Sequence, residues 1–91
     1  MPIYMIERHL AEEYREDLEA ASELNVVNDD EDIRWLYSFL SEDLRKTYCL
    51  YEAPNAEAIR AAAERAGIPA DLIIELAGRI ENTGAVVPIP G

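Results

Sequence analysis

The run RWLYSFLSEDLRKTYCLYEAP, residues 34–54, decides the fold. Two segments rich in aromatic and β-branched residues flank the polar stretch SEDLRK, the pattern of two strands joined by a short turn. The first, about Ile33 to Leu40, carries Ile33, Trp35, Tyr37 and Phe39 on one face and Leu36 and Leu40 on the other, so both faces are expected to be at least partly covered. The second, about Thr47 to Glu52, returns as a hairpin and stops at Ala53-Pro54.

Upstream of the hairpin, PIYMIERH is short, apolar and suited to a strand over Ile3 to Arg8. Leu10, Tyr14, Leu18, Ala21 and Leu24 then recur at spacings of four and three, which predicts an amphipathic helix weakening at Asn25-Val26-Val27. Downstream, Asn55 is a good N-cap for a second helix with the apolar stripe Ile59, Ala62, Ala63 and Ala66, and Gly67 and Pro69 end it. LIIELAGRI supplies a last strand. The order is strand, helix, strand, strand, helix, strand, an α+β ferredoxin-like βαββαβ sandwich with a four-stranded antiparallel sheet and two helices on one face. The domain is expected over residues 1–81, with 82–91 as an extended C-terminal tail.

The uncovered sheet face would carry aromatic residues, and burying it against a second copy predicts a homodimer of the dimeric α/β-barrel type. A chain of 91 residues has a small core, which such pairing would enlarge. Its 8 basic against 19 acidic residues, net charge −11, repel phosphate backbones and argue against nucleic acid as a partner. No apolar run is long enough for a membrane span, and MPIYMIERHL lacks the basic-then-apolar order of a signal peptide. A single cysteine makes no intramolecular disulfide, in keeping with a reducing, cytoplasmic setting.

Chemistry-bearing residues are few. Cys49 lies in a strand, where a free thiol commonly behaves as a small buried hydrophobe; the alternative is a thiolate metal ligand. The only imidazole is His9, at the end of the first strand beside Glu7. In this topology the first and third strands are expected to be parallel neighbours, so Glu7 and His9 can approach Cys49 and Tyr51 if the register permits, and the odd numbering puts each strand's pair on one side. Glu7-Arg8 places a charge in an apolar strand, and Glu75 and Arg79 on the last strand are its expected partners. The acidic run NDDEDI, Asn28 to Ile33, lacks the glycine and distal glutamate of a helix-loop-helix calcium site and reads as a solvated loop, and Asp43 reads as a turn residue. Paired-cysteine knuckles, phosphate loops and nucleophile elbows are absent from the sequence.

YMIERHL together with RWLYSFLSEDLRKTYCLYEAPNAEAIRAAAERAGIPADLI resembles a family of small bacterial ferredoxin-like proteins, once a domain of unknown function, that includes a nickel-binding protein. The likeness runs over about residues 2–80. It implies the ferredoxin-like fold, a dimer, and binding of nickel or another divalent transition metal. The ligand choices His9, Cys49 and Glu7 rest on their own chemistry: imidazole, thiolate and carboxylate form a borderline donor set that would also accept zinc or copper. Two other readings stand beside this one. One is a small isomerase- or oxygenase-like enzyme with a ligand pocket on the open sheet face, in which His9, Glu7 or Asp43 moves a proton; the other is a non-catalytic interaction module.

Overall fold

In the computed structural model, which describes residues 1–89, the elements are β1 (Ile3–His9), α1 (Leu18–Asp30), β2 (Arg34–Leu40), β3 (Lys46–Glu52), α2 (Ala56–Ala66), β4 (Leu72–Leu76), β5 (Arg79–Ile80) and β6 (Val86–Val87). The first four strands form one sheet in the order β2-β3-β1-β4, every neighbouring pair antiparallel, with α1 and α2 following β1 and β3. This is the expected βαββαβ sandwich. Its core is Ile6, Ile33, Tyr51, Ala53, Ile59 and Ala62 with Tyr4 and Cys49. Burying each large apolar side chain there contributes about 1.5–3 kcal/mol. No helix among the described residues is long and apolar enough to cross a membrane.

The expected parallel pairing of the first and third strands is incorrect: β1 and β3 are antiparallel, with Ile6 opposite Cys49 and Glu7 opposite Tyr48. The reason is topological. A helical crossover from β1 returns β2 parallel to it, one strand away, and the hairpin from β2 then inserts β3 between them, running against both. Residues directly opposite share a face, so even positions of β1 go with odd positions of β3. Tyr4, Ile6 and Arg8 are accordingly buried beneath the helices with Thr47, Cys49 and Tyr51.

Helix α1 differs from the periodicity-based expectation at both ends. Leu10 and Tyr14 donate their backbone N–H groups to Arg45 O and Leu44 O, both at 2.7 Å, which ties residues 10–14 to the β2–β3 loop and withholds them from a helix. The helix starts where Asp17 caps it, accepting from the Ala20 N–H at 2.9 Å. It runs on through Val26 and Val27 because Val27 packs on the core and Asn28 is buried, so tertiary packing outweighs the weak β-branched propensity. Most of the acidic run 28–33 thereby closes the helix and its turn, with Asp32 in the left-handed region at φ 59°.

Strand β2 has a bulge: Trp35 pairs with Tyr51 and Tyr37 with Leu50, so Leu36 is the extra residue. The predicted single face of Ile33, Trp35, Tyr37 and Phe39 is thereby split. Trp35 turns toward the helices and stacks near Tyr51 at 6.4 Å between centroids, whereas Tyr37 and Phe39 face away from them. Helix α2 follows its sequence signals closely. Asn55 accepts from the Ala58 N–H at 2.9 Å, a cap worth about 1 kcal/mol, and Gly67 ends the helix at φ 68°. Beyond β4 the chain forms the small hairpin β5–β6, in which Val86–Val87 of the expected tail takes part; positions 90 and 91 lie outside the described residues.

Candidate functional site

On the uncovered side of the sheet, the interior strand β1 presents Ile3, Met5, Glu7 and His9. Glu7 Oε2 and His9 Nε2 are 3.0 Å apart, with their side chains 25% and 51% exposed. The end of the strand is fixed from the neighbouring β4 side: the His9 backbone N–H donates to Asp71 Oδ2 at 2.7 Å, and the Asp71 N–H donates to Glu7 O at 3.0 Å. An imidazole and a carboxylate held this way can bind one cation together, or the carboxylate can orient the ring so that its other nitrogen does.

The same face is apolar around them. Tyr37 and Phe39 meet edge to face at 5.6 Å and 89°, and both are exposed, as are Leu72 and Ile74 on β4. Leu50 is buried in their midst. Large exposed side chains are thus gathered on this one face of the sheet.

Cys49 is on the other side. It is 5% exposed, opposite Ile6 and Ser38, in the core beneath the helices. The structure therefore brings Glu7 and His9 together and leaves Cys49 apart from them, with the sheet between. Among the described residues, no three histidine, cysteine, aspartate or glutamate side chains converge in a way that could hold a metal ion.

The expected partners of the charged pair in β1 are also different. Glu7 meets His9, while Arg8, 6% exposed, turns to the helix side, where it donates to Pro69 O and, at 3.3 Å, to Tyr51 Oη. Arg79 instead pairs with Glu81 in the terminal hairpin, and Glu52 pairs with Arg34. Asp43 accepts from Ser41 Oγ at 2.6 Å and from the Arg45 N–H at 3.0 Å, and these bonds hold its carboxyl below the usual range. Its role is to close the hairpin turn.

A feature that sequence reasoning missed lies between α1 and the sheet. A cleft of about 760 Å³ is floored by Arg8, Thr47, Cys49 and Tyr51 and walled by α1 and Trp35. This cleft lies on the helix side, whereas the enzyme reading places its pocket on the open sheet face. The signal available in the sequence was Arg8, an arginine within a β-strand whose neighbours Ile6 and Tyr4 belong to the core.

A protein-family model described as nickel responsive protein SCO4226-like matches residues 4–76. Among solved structures, the crystal structure of SCO4226 from Streptomyces coelicolor A3(2) is similar at a TM-score of 0.72 and 28% sequence identity, covering 82% of this chain and 95% of that one. No curated protein matches the chain.

Proposed function

Because the chain belongs to the SCO4226-like family of nickel responsive proteins, we propose that it is a cytoplasmic nickel-binding protein whose metal is held by Glu7 and His9 between the open faces of two copies. The observation that carries this reading is the Glu7–His9 pair, 3.0 Å apart on an exposed apolar sheet face. Nitrogen and carboxylate oxygen suit Ni²⁺, and copper would compete on affinity. Protein transition-metal sites commonly use three or four protein ligands, and one chain offers two here. Pairing the open faces supplies two more, provided the two-fold axis passes near the His9 end of β1.

The dimer has its own support. Tyr37, Phe39, Leu72 and Ile74 are the kind of side chains whose burial drives association, and the two helices leave that face uncovered. Cys49 has no part in this donor set, because it faces the helix side. When bound, nickel would bridge the subunits and bias them toward the paired state.

Titration calorimetry of the untagged protein with Ni²⁺ at neutral pH tests the reading. Wild type is expected to give saturable heat, and His9→Ala to weaken binding at least about tenfold, since it removes half of the nitrogen and oxygen donors contributed per chain. Cys49→Ser should bind as wild type does. Heat unchanged in His9→Ala, or lost in Cys49→Ser, overturns the assignment.

A further inference from the structure

The cleft between α1 and the sheet lies across the sheet from Glu7 and His9 and is independent of them. Its volume, about 760 Å³, falls within the range of small-molecule sites. Ala21, Leu24 and Val27 recur along the inner side of α1, and with Trp35 and Leu40 they make its walls apolar. The helix is anchored mainly at its C-terminal end, where Asn28 is buried and Val27 packs on the core, so the space opens under its first turns.

The floor of the cleft is polar at one place. Arg8 and Thr47 stand opposite one another in the β1–β3 ladder and both line the cleft, 6% and 9% exposed. A guanidinium has five N–H donors, and the acceptors found for Arg8 are Pro69 O and Tyr51 Oη. Among the described residues no carboxylate forms an ion pair with it. Thr47 Oγ1 is buried and has no hydrogen-bond partner. A buried cation without a counter-ion and a buried hydroxyl without a partner are both costly, and one anionic group placed between them would satisfy both.

We propose that this cleft binds a small amphipathic monocarboxylate, its carboxylate on Arg8 and Thr47 and its apolar body between α1 and Trp35. Single charge and apolar body are both argued from the walls. At the exposed rim Asp17 and Glu23 outnumber Arg15, the lining arginine there that no carboxylate engages among the described residues, and on a chain of net charge −11 they oppose a multiply charged phosphate. Arg65, also at the rim, is already engaged by Asp30 and Glu31 at 3.0 Å each. Arg8 is thus the anion receptor and a specificity determinant for the head group.

The chain's single tryptophan, Trp35, lines the cleft and reports its occupancy by fluorescence. The untagged protein, free of metal, is titrated with decanoate, with decanol and with acetate. Decanoate is expected to give a saturable change in emission, and decanol and acetate to bind at least about tenfold more weakly, one lacking the charge and the other the chain. Arg8→Gln should erase the preference for decanoate over decanol, Thr47→Val should reduce it, and Ala21→Phe should block all three ligands by filling the cleft. If Arg8→Gln does not fold, the wild-type decanoate-to-decanol ratio and Thr47→Val decide. No saturable response to decanoate, equal binding of decanoate and decanol, or acetate binding as tightly as decanoate overturns the proposal.

Discussion

Tyr51→Ala is expected to lower the free energy of unfolding by about 3–5 kcal/mol, the range for removing a fully buried aromatic side chain. Tyr51 is 2% exposed on the interior strand β3, its ring stacked near Trp35 at an interplanar angle of 14° with the Arg8 guanidinium carbon 5.8 Å from its centroid. Truncation opens a cavity and also removes the hydroxyl that accepts from Arg8, leaving a buried cation with one acceptor fewer. A domain of this size has about 5–15 kcal/mol in all, so the variant should unfold at far lower urea concentration. Tyr51→Phe keeps the ring and should cost about 1–2 kcal/mol.

The pH dependence of Tyr51 has a definite sign. Burial pushes its phenol above the ordinary tyrosine value, with Arg8 opposing. Because the folded value lies above the unfolded one, the neutral phenol's contribution is complete below about pH 10 and is lost as pH rises through the folded value. Tyr51→Phe should therefore flatten the alkaline limb of stability. Urea unfolding from pH 7 to 11 measures both effects; a loss under 1 kcal/mol for Tyr51→Ala would contradict the packing described.

If two copies pair through their open faces as proposed, Phe39→Glu is expected to leave the protein monomeric at micromolar concentration with the fold intact. Phe39 is 60% exposed on the open face and packs edge to face against Tyr37. In the single chain its replacement removes little buried area, so the loss of stability should be small. In the proposed pair it puts a carboxylate into an apolar interface between two chains that each carry net charge −11. A central aromatic anchor is worth about 2 kcal/mol or more, roughly thirtyfold in dissociation constant, before the cost of the buried charge is added. Sedimentation equilibrium with circular dichroism separates the outcomes. A wild type that is monomeric, or a variant that stays dimeric, removes the open face as the interface.

The elements written in local signals were the legible ones. Helix α2 announces itself with Asn55 and Gly67, and the β2–β3 hairpin with SEDLRK between two aromatic runs, because caps and turns are decided by a few adjacent residues. The start of α1 was not legible. Leu10 and Tyr14 keep helical spacing, yet their N–H groups are taken by carbonyls of a loop some thirty residues on, a contact that no local pattern encodes. The bulge at Leu36 moved Tyr37 and Phe39 to the opposite face by the insertion of one residue, because side chains alternate with period two.

The candidate site was legible to the same degree. Glu7 and His9 are two apart on one strand, so a local rule suffices to put them on one face. Whether Cys49 joins them depends on strand direction and register, and the antiparallel pairing with Ile6 opposite Cys49 sends it to the core. Cys49 occupies a small space in the core cluster with Ile6, Tyr51 and Trp35. Arg8 looked like an interruption in an apolar strand. Its burial follows from alternation with Tyr4 and Ile6, but the cleft it faces comes from how α1 is seated.

Native mass spectrometry of the untagged protein with Ni²⁺ tests the shared-site claim most directly, because it reads subunits and metal in one species. Two Glu7–His9 pairs facing one another predict a dimer carrying one nickel ion, with His9→Ala giving a dimer that carries none. A nickel-loaded monomer, a dimer with one ion per chain, or a wild-type dimer that takes up no nickel would contradict it.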